Sequence, residues 1–277
     1  MTVNVIPMAG LGSRFSTEGY LLPKPLIPVS GEPMIRRVVE DLPDADKWVF
    51  VVRAEHVDDY GIDSLLESTV EDAEVVTVSE TTEGQVCTAM LAEPHLDPDE
   101  DVLIAACDHG LQYDEREYRE LRSREDVDAV VWTFTEQRAL EQHPESWGWC
   151  AVREDGETVD SVSVKTPISS SPYDDHAVTG AFYFDRAEDF IEAATSMVEA
   201  DHRVNGEFYA DTLPVFLNRM GKRSVVFDVD LYISWGTPDN LYRYEELEYL
   251  CRNAPASAQR IDELTDNPAR WREYFDD

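Results

Sequence analysis

Residues 3–35 of this 277-residue chain read VNVIPMAGLGSRFSTEGYLLPKPLIPVSGEPMI, and the fold is decided here. The apolar start predicts a β-strand at 3–7, which ends in a glycine-containing turn. In that turn, Gly10 and Gly12 leave room for a ligand to approach the backbone. Successive N–H groups of such a turn form a cradle for phosphate oxygens, and Arg14 adds a forked cation. The stretch therefore predicts a phosphate-binding loop after a first strand.

The second motif of this stretch is a lysine between two prolines, Pro23-Lys24-Pro25. Because proline fixes φ, Lys24 lies on a stiffened segment. The glycine spacing excludes two other phosphate loops, since it matches neither G-x-x-x-x-G-K-[ST] nor G-x-G-x-x-G. The two motifs together resemble the signature of the sugar-phosphate nucleotidyltransferases, or nucleoside-diphosphate-sugar pyrophosphorylases, in which a G-x-G-[ST]-R loop precedes P-K-P-[LM].

This resemblance extends through residue 245 and implies an α/β fold. The expected architecture is a Rossmann-like, mixed, twisted sheet flanked by helices, as in GT-A-like glycosyltransferases. It implies a nucleotidyltransferase domain over 1–245 and a C-terminal helical extension over 246–277. The nucleotide-binding residues that it implies in the first loop are Ala9, Gly10, Gly12 and Ser13, with Arg14 on the β- and γ-phosphates and Lys24 on the α-phosphate.

Further segments follow the order of the family. Asp108 ends the apolar run 103–107, and an acid at the carboxyl end of a parallel strand faces the ligand crevice. The resemblance makes Asp108 the ligand of Mg²⁺. The other residues that it assigns are Gly84 and Gln85 beside the nucleobase, Lys165 on the acceptor phosphate, Gly180 against the substrate and Glu207 on substrate hydroxyls. Structural interpretations stay open for three of these residues: a helix N-terminus for Gln85, a turn cap for Asp108 and a solvated helix position for Glu207.

Two positions depart from the family pattern. Val164 precedes Lys165 where many sugar enzymes have glutamate, so one carboxylate that could hold sugar hydroxyls is missing. Ser234 stands where many members have the acid of a D-x-G-T motif. Both departures leave the acceptor and the number of metal ligands open.

The sequence offers no candidate for a second protein ligand of the metal. If 223–233 is one strand, Asp230 lies ~13 Å from position 234 at ~3.3 Å per residue, too far to share a magnesium ion. Asp239 opens a helix, where an acid satisfies free N–H groups. We therefore predict that Asp108 is the one protein carboxylate on the metal, with phosphates and water completing the shell.

Charge is the second strong feature of the chain. Lys+Arg total 23 against 58 for Asp+Glu, which gives a formal net charge of −35. Aromatic residues make up 10% of the chain and argue against disorder, so we expect the acidic surface of a salt-adapted, halophile-like protein. Of the four lysines, Lys24 and Lys165 fall in phosphate motifs, which favours function over surface decoration. A chain this acidic is not expected to bind nucleic acid.

Length and residue usage restrict the class further. No apolar run approaches about eighteen residues and no charged leader precedes the first strand, so we expect no membrane span, no signal peptide and a cytoplasmic location. The cysteines form no C-x-x-C pair, so neither a disulfide framework nor a zinc site is expected. A homo-oligomer is compatible with the sequence.

The apolar patterns predict alternating strands and helices up to about residue 110 and mainly strands from 128 to 166. The predicted strands are 3–7, 48–53, 74–79, 102–107, 128–135, 148–153, 158–164, 177–184 and 223–233. The predicted helices are 33–42, 58–68, 84–93, 186–200, 206–220 and 238–252. Segment 256–277 is polar and helical, and we expect Trp271, Tyr274 and Phe275 to dock it on the body.

The resemblance implies transfer of a nucleoside monophosphate from an NTP to a sugar 1-phosphate with release of pyrophosphate. The product would be an NDP-sugar for glycan or polar-lipid assembly, the cofactor Mg²⁺, and the partners an NTP and a phosphorylated small molecule. One alternative is a cytidylyltransferase acting on a non-sugar phosphate such as phosphocholine, to which the wording Gly-Leu-Gly-Ser-Arg-Phe is close. Another is a non-catalytic subunit that binds nucleotide sugars, against which the retention of four charged motif residues argues.

Overall fold

The structure is a computed structural model that describes residues 1–253 and 258–276. The strands are β1 (Thr2–Pro7), β2 (Pro28–Val29), β3 (Glu32–Pro33), β4 (Lys47–Arg53), β5 (Ala73–Val78), β6 (Asp101–Ala105), β7 (His109–Gln112), β8 (Ala129–Phe134), β9 (Gly148–Val152), β10 (Val159–Val164), β11 (His176–Phe184), β12 (Ser224–Asp228) and β13 (Leu231–Ser234). The helices are α1 (Ser13–Thr17), α2 (Met34–Asp41), α3 (Ala54–Tyr60), α4 (Ile62–Thr69), α5 (Gln85–Met90), α6 (Glu115–Arg122), α7 (Arg138–Gln142), α8 (Ala187–Glu199), α9 (Leu213–Arg219), α10 (Pro238–Asn253), α11 (Ala258–Leu264) and α12 (Pro268–Asp276).

A mixed central sheet organises these elements. β1 lies in its middle, with β4 parallel on one side and β6 parallel on the other, and β5 continues the parallel half beyond β4. β11 runs antiparallel to β6, β8 and β9, while β12 adds in parallel to β8 and β10 pairs antiparallel with β9. The predicted α/β fold with a mixed sheet flanked by helices is confirmed.

Both faces of the sheet are buried, which fixes the position of its central strand. Along β1, Val3 and Val5 enter one core cluster and Ile6 enters the other, as the two-residue period of a strand requires. The intervening Asn4 is fully buried, and its side-chain amide donates to the carbonyl of Pro43 at 2.8 Å. Because β4 and β6 run parallel to β1, the turn after β1 lies at the edge of the sheet where the carboxyl ends of these strands meet, and that edge carries the candidate site.

Two predicted helices are wrong in extent. The helix predicted at 58–68 is two helices, α3 and α4, because Gly61 adopts a left-handed conformation with φ of 62° and ends the first. The helix predicted at 206–220 begins only at Leu213. A tight turn precedes it, in which Asn205 and Gly206 have φ of 51° and 86°.

The single strand predicted at 223–233 is also wrong. β12 ends at Asp228 and pairs with β8, whereas β13 begins at Leu231 and pairs antiparallel with β7 in a separate two-stranded sheet. Between them, the Val229 N–H donates to the carbonyl of Thr133 at 2.8 Å and Asp230 turns to Arg270. Alternating apolar residues fit one strand or two, so the pattern cannot reveal that the pairing partner changes.

The C-terminal helices pack on the body of the protein. Trp271, Tyr274 and Phe275 are at most 8% exposed and belong to the same core cluster as Ile6 of β1. Residues 254–257 and 277 of the predicted extension lie outside the described residues, and the division into 1–245 and 246–277 stays a prediction. Among the helices that the structure describes, none combines the length and the apolar content needed to cross a membrane.

Candidate active site

The predicted phosphate loop follows β1 and leads into α1. The Met8 N–H donates to the carbonyl of Val51 at 2.9 Å, which ties the start of the loop to β4. Gly12 has φ of 60°, and a Cβ there would lie 3.2 Å from Cβ of Lys24, so a side chain is disfavoured both by strain and by crowding. Phe15 anchors α1 in the core, whereas Gly10 and Arg14 stay exposed. The loop thus offers its backbone and Arg14 to a ligand.

Lys24 and Asp108 form a partly buried ion pair beside this loop. Lys24 begins a short 3₁₀ helix, and its Nζ donates to Oδ2 of Asp108, which follows β6. The two side chains are only 19% and 24% exposed. Burial lowers the pKa of the Lys24 ammonium and raises that of the Asp108 carboxyl, but in each case the partner's charge outweighs burial. The pKa of Lys24 is therefore raised, that of Asp108 is lowered, and both groups are charged near neutral pH.

Residues after β13 run against the Asp108 carboxylate. The Trp235 N–H donates to the backbone carbonyl of Asp108 at 2.9 Å. A Cβ on Gly236 would lie 2.9 Å from Oδ2 of Asp108, so glycine is needed for the chain to pass this close to the carboxylate. Asp230 forms an ion pair with Arg270 at 2.6 Å instead.

Asp108 suits a hard cation. Magnesium takes one or two protein carboxylates together with phosphate and water oxygens, and Asp108 offers one carboxylate, which is 24% exposed. Within residues 1–253 and 258–276, no group of three or more His, Cys, Asp or Glu side chains forms an all-protein metal site. The donor set thus fits a metal that is completed by substrate phosphates.

Lys165 lies in a second cluster, on the other side of β11. It follows β10 with φ of 58°, its N–H donates to the carbonyl of Trp147 at 2.8 Å, and its ammonium lies 5.3 Å from the ring centre of Tyr209. Asp211 supplies a carboxylate here: a Cβ on Gly148 would lie 2.2 Å from its Oδ2. Burial raises the pKa of Asp211 to about 6, although its own backbone and Lys165 oppose the shift. This cluster can take a phosphate and a neighbouring polar or cationic group.

The structure separates Glu207 from this cluster. Its side chain is exposed, and its backbone forms a short bridge with Val204. Asp211, four residues later, is the acid beside Lys165. The sequence gives one indication of Asp211, its position two residues after the matched segment 205–209, but no periodicity distinguishes it from other acids.

Gly84 and Gln85 are held against that same segment. Gly84 has φ of 141°, and a Cβ there would lie 2.6 Å from both N and O of Phe208, so glycine is required. The Phe208 N–H donates to the carbonyl of Glu83 at 3.0 Å, and its carbonyl accepts from the N–H of Val86 at 3.3 Å. The Gln85 side chain is half-buried and forms no hydrogen bond to another described residue. It is therefore available to a base edge.

Gly180 connects the two halves of the site. It has φ of 96° and lies where the register between β11 and β8 shifts. Its carbonyl accepts from the N–H of Ala106 at 3.1 Å, two residues before Asp108. The bulge thus places the partly buried Gly180 of β11 beside the end of β6.

A cleft of about 480 Å³ opens between α1 and the start of α10. Its lining residues are Ser13, Arg14, Thr17, Glu18, Thr237, Pro238 and Asp239. The Thr237 hydroxyl caps α10 by accepting from the N–H of Asn240 at 3.1 Å. The cleft lies beside the phosphate loop, which contributes Ser13 and Arg14 to its wall, and Lys24 is not among the lining residues.

The sequence model of the MobA-like NTP transferase domain matches residues 4–206. The chain belongs to this family. It is therefore a nucleotidyltransferase, as the first motifs predicted. No curated protein sequence matches the transferase.

Solved structures with the same fold cover nearly all of the transferase. A nucleoside-diphosphate-sugar pyrophosphorylase from Vibrio cholerae RC9 aligns over 88% of this chain and 99% of its own, with 21% identity and a TM-score of 0.72. The inositol-1-phosphate CTP transferase of T. maritima aligns over 91% and 96%, with 16% identity and a TM-score of 0.68. A UDP-glucose pyrophosphorylase complexed with UDP-glucose aligns over 91% and 100%, with 16% identity and a TM-score of 0.69. These likenesses establish the fold of the transferase.

Two residues near the Lys24–Asp108 pair, one partly buried and one buried, were not predicted as site residues. Tyr232 of β13 stacks on Phe134 with ring centres 4.4 Å apart, and burial raises the pKa of its hydroxyl, as do the Asp108 and Asp211 carboxylates. His109 is 1% exposed, its ring nitrogens have no partner among the described residues, and burial lowers its pKa to about 4. Both lie on the β7–β13 ribbon, which was not predicted. The individual roles of the predicted site residues stay predictions.

Proposed function

We propose that the transferase moves a nucleoside monophosphate from an NTP to a phosphorylated small molecule, with a sugar 1-phosphate as the first candidate, and releases pyrophosphate. The observation that carries the proposal is the partly buried Lys24–Asp108 pair between the Gly10–Arg14 loop and the Gly180 bulge. The pair supports a role for Lys24 as the cation, and for Asp108 as the carboxylate that would bind the metal, at the end of a phosphate held by the loop. The names of the structural neighbours support a sugar phosphate.

In the proposed reaction, an oxygen of the acceptor phosphate attacks the α-phosphorus in line. A new P–O bond forms, the bond from the α-phosphorus to the bridging oxygen breaks, and pyrophosphate leaves with the electron pair. A phosphate monoester is already anionic near neutral pH, so no general base is needed. Catalysis is then mainly positioning and neutralisation of charge.

Each residue has a defined task in this reaction. The loop amides and Arg14 hold the β- and γ-phosphates in the cleft beside α10. Lys24, a compact point charge, neutralises the α-phosphate, and Lys165 orients the incoming phosphate. Asp108 would hold Mg²⁺, which supplies charge stabilisation to the phosphates when bound.

A second acceptor class is favoured by one observation. Lys165 lies beside the Tyr209 ring and the Asp211 carboxylate, and Trp147 contributes its backbone to the same corner. An aromatic face and a carboxylate next to a phosphate-binding lysine suit a quaternary ammonium as well as sugar hydroxyls. A cytidylyltransferase that acts on phosphocholine is therefore the alternative.

The decisive experiment measures pyrophosphate release with each NTP and a panel of acceptors, in molar salt. We expect release with one preferred NTP and a sugar 1-phosphate. Preference for CTP with phosphocholine would replace that acceptor by the alternative. Tight nucleotide binding without pyrophosphate from any pair would overturn the proposal in favour of a non-catalytic, nucleotide-sugar-binding subunit.

We also infer the setting of the reaction. The net charge of −35 supports a halophile-like source, because concentrated salt screens the repulsion of such a surface. The use of an NTP supports a cytoplasmic location. The same charge disfavours nucleic acid as a partner, and a homo-oligomer stays a hypothesis that sedimentation would test.

A further inference from the structure

The C-terminal helix α12 contributes one polar group to the interior, the hydroxyl of Tyr274. This hydroxyl donates to Oδ2 of Asp41 at 2.8 Å, and Arg37 also reaches it at 3.4 Å. Trp271 and Phe275 of α12 pack on Tyr244, which fixes the helix on α10. A residue close to the end of the chain is thus hydrogen-bonded to the last residue of α2.

Asp41 connects Tyr274 to β7 through hydrogen bonds to both. The oxygen that accepts from Tyr274 also accepts from the N–H of Leu111 at 3.1 Å. A Cβ on Gly110 would lie 2.7 Å from the same oxygen, so β7 lies directly against the carboxylate. The Leu111 N–H points to Asp41 rather than to β13, so its protection from hydrogen exchange depends on the Asp41 side chain.

β7 starts one residue after Asp108, and the same packing reaches Asp108 from its other side. The Trp235 ring would lie 2.9 Å from a Cβ on Gly110, and it packs edge-on against Tyr244 at 5.5 Å. The Trp235 N–H holds the backbone carbonyl of Asp108. Both supports of the Asp108 backbone therefore lead to the C-terminal helices.

We propose that Tyr274 is a positioning residue for Asp108, acting through Asp41 and the Leu111 N–H to fix β7 where the carboxylate meets Lys24. Its effect on catalysis rests on the proposed function, whereas its effect on β7 does not. The variant Tyr274→Phe removes the hydroxyl and keeps the packing of the ring. The control is Tyr249→Phe, since Tyr249 is 64% exposed on α10.

The first test is hydrogen–deuterium exchange of peptides spanning 106–113, without substrates. A single hydrogen bond of this kind is worth about three- to tenfold in local opening, so Tyr274→Phe should exchange at β7 faster by that factor. Tyr249→Phe should match the wild type. Asp41→Asn keeps a carbonyl oxygen for both donors and should stay within about twofold. Unchanged exchange at 106–113 in Tyr274→Phe would overturn the proposal.

The second test is kinetic and compares pyrophosphate release by the variant with that by the wild type. Tyr274→Phe should lower kcat about three- to tenfold at an unchanged KM for the NTP, because the nucleotide is held mainly by the first loop. A loss of thermal stability with normal kcat per folded molecule would show a merely structural residue. If Tyr274→Phe cannot be purified in folded form, the variants Asp41→Ala and Asp41→Asn are compared instead. Faster hydrogen–deuterium exchange at 106–113 in Asp41→Ala alone supports the proposal, and equal exchange in both variants contradicts it.

Discussion

Lys24→Ala is the most informative substitution in the site. The Lys24 ammonium pairs with Asp108, and with 19% and 24% exposure neither charge is fully solvated. Without the ammonium, burial is no longer offset, so the pKa of Asp108 rises toward that of a buried acid. The substitution therefore removes the cation on the α-phosphate and also perturbs the metal-binding carboxylate.

The expected loss is one of rate rather than of binding. One preorganised donor at a developing charge is typically worth about 10²–10³ in kcat, while the loop and Arg14 still hold the triphosphate. Steady-state pyrophosphate release at saturating acceptor gives kcat and the KM for the NTP. Lys24→Arg should recover little, since a planar fork cannot follow a single oxygen as a point charge does.

Lys47→Ala is the matched control for this experiment. Lys47 starts β4, at the end of that strand away from the loop, and its Nζ donates to the carbonyl of His95 at 2.9 Å. It should leave kcat within about twofold, as expected for a partly exposed surface contact. An unchanged kcat with a raised KM in Lys24→Ala would refute the assignment of Lys24 to the transition state.

Three further predictions concern carboxylates and salt. Asp108→Asn should abolish magnesium-dependent turnover while Asp230→Asn, which loses only its pair with Arg270, stays within a few-fold in the same assay; equal losses would contradict a one-carboxylate site. The pKa of Asp211 is about 6 in the folded protein against about 3.9 in the unfolded chain, so its stabilising effect is complete below pH 4 and is lost as the pH rises through 6. Relative to the wild type, the free energy of unfolding of Asp211→Asn should therefore rise by about 2–3 kcal/mol between pH 4 and pH 7, as measured by denaturant unfolding. The same pH dependence of stability in both proteins would contradict this prediction. Thermal melts should rise steeply from 0.1 to 1 M salt, because the net charge of −35 is screened over ~10 Å at the lower and ~3 Å at the higher concentration, and flat melts would refute salt adaptation.

The first half of the site was predictable because it depends on local sequence. Gly12 needs its left-handed φ in the loop, Lys24 lies between two prolines, and Asp108 follows three residues after the end of β6. Parallel strands bring their carboxyl ends to one edge, so residues 84 positions apart could be expected to meet.

The second half depends on which strands pair, and the pattern does not reveal this. The alternation at 223–233 hides the change from β8 to β7, and with it the ribbon that carries His109 and Tyr232. Asp211 lies beside Lys165 because the turn before α9 folds the chain back, whereas a helix through 206–220 would have placed Glu207 and Asp211 one turn apart on a solvated face. Tertiary contacts override the local pattern at both places.

In the proposed reaction an acceptor phosphate, and not water, attacks the α-phosphorus of an NTP. Phosphorus NMR of a reaction in molar salt, with one NTP and one sugar 1-phosphate or phosphocholine, follows every phosphorus atom of both substrates. We expect equal amounts of inorganic pyrophosphate and of a new diphosphate diester, which form only when the acceptor is present and form far more slowly in Lys24→Ala. Formation of free nucleoside monophosphate or of inorganic phosphate, with the acceptor unchanged, would contradict it.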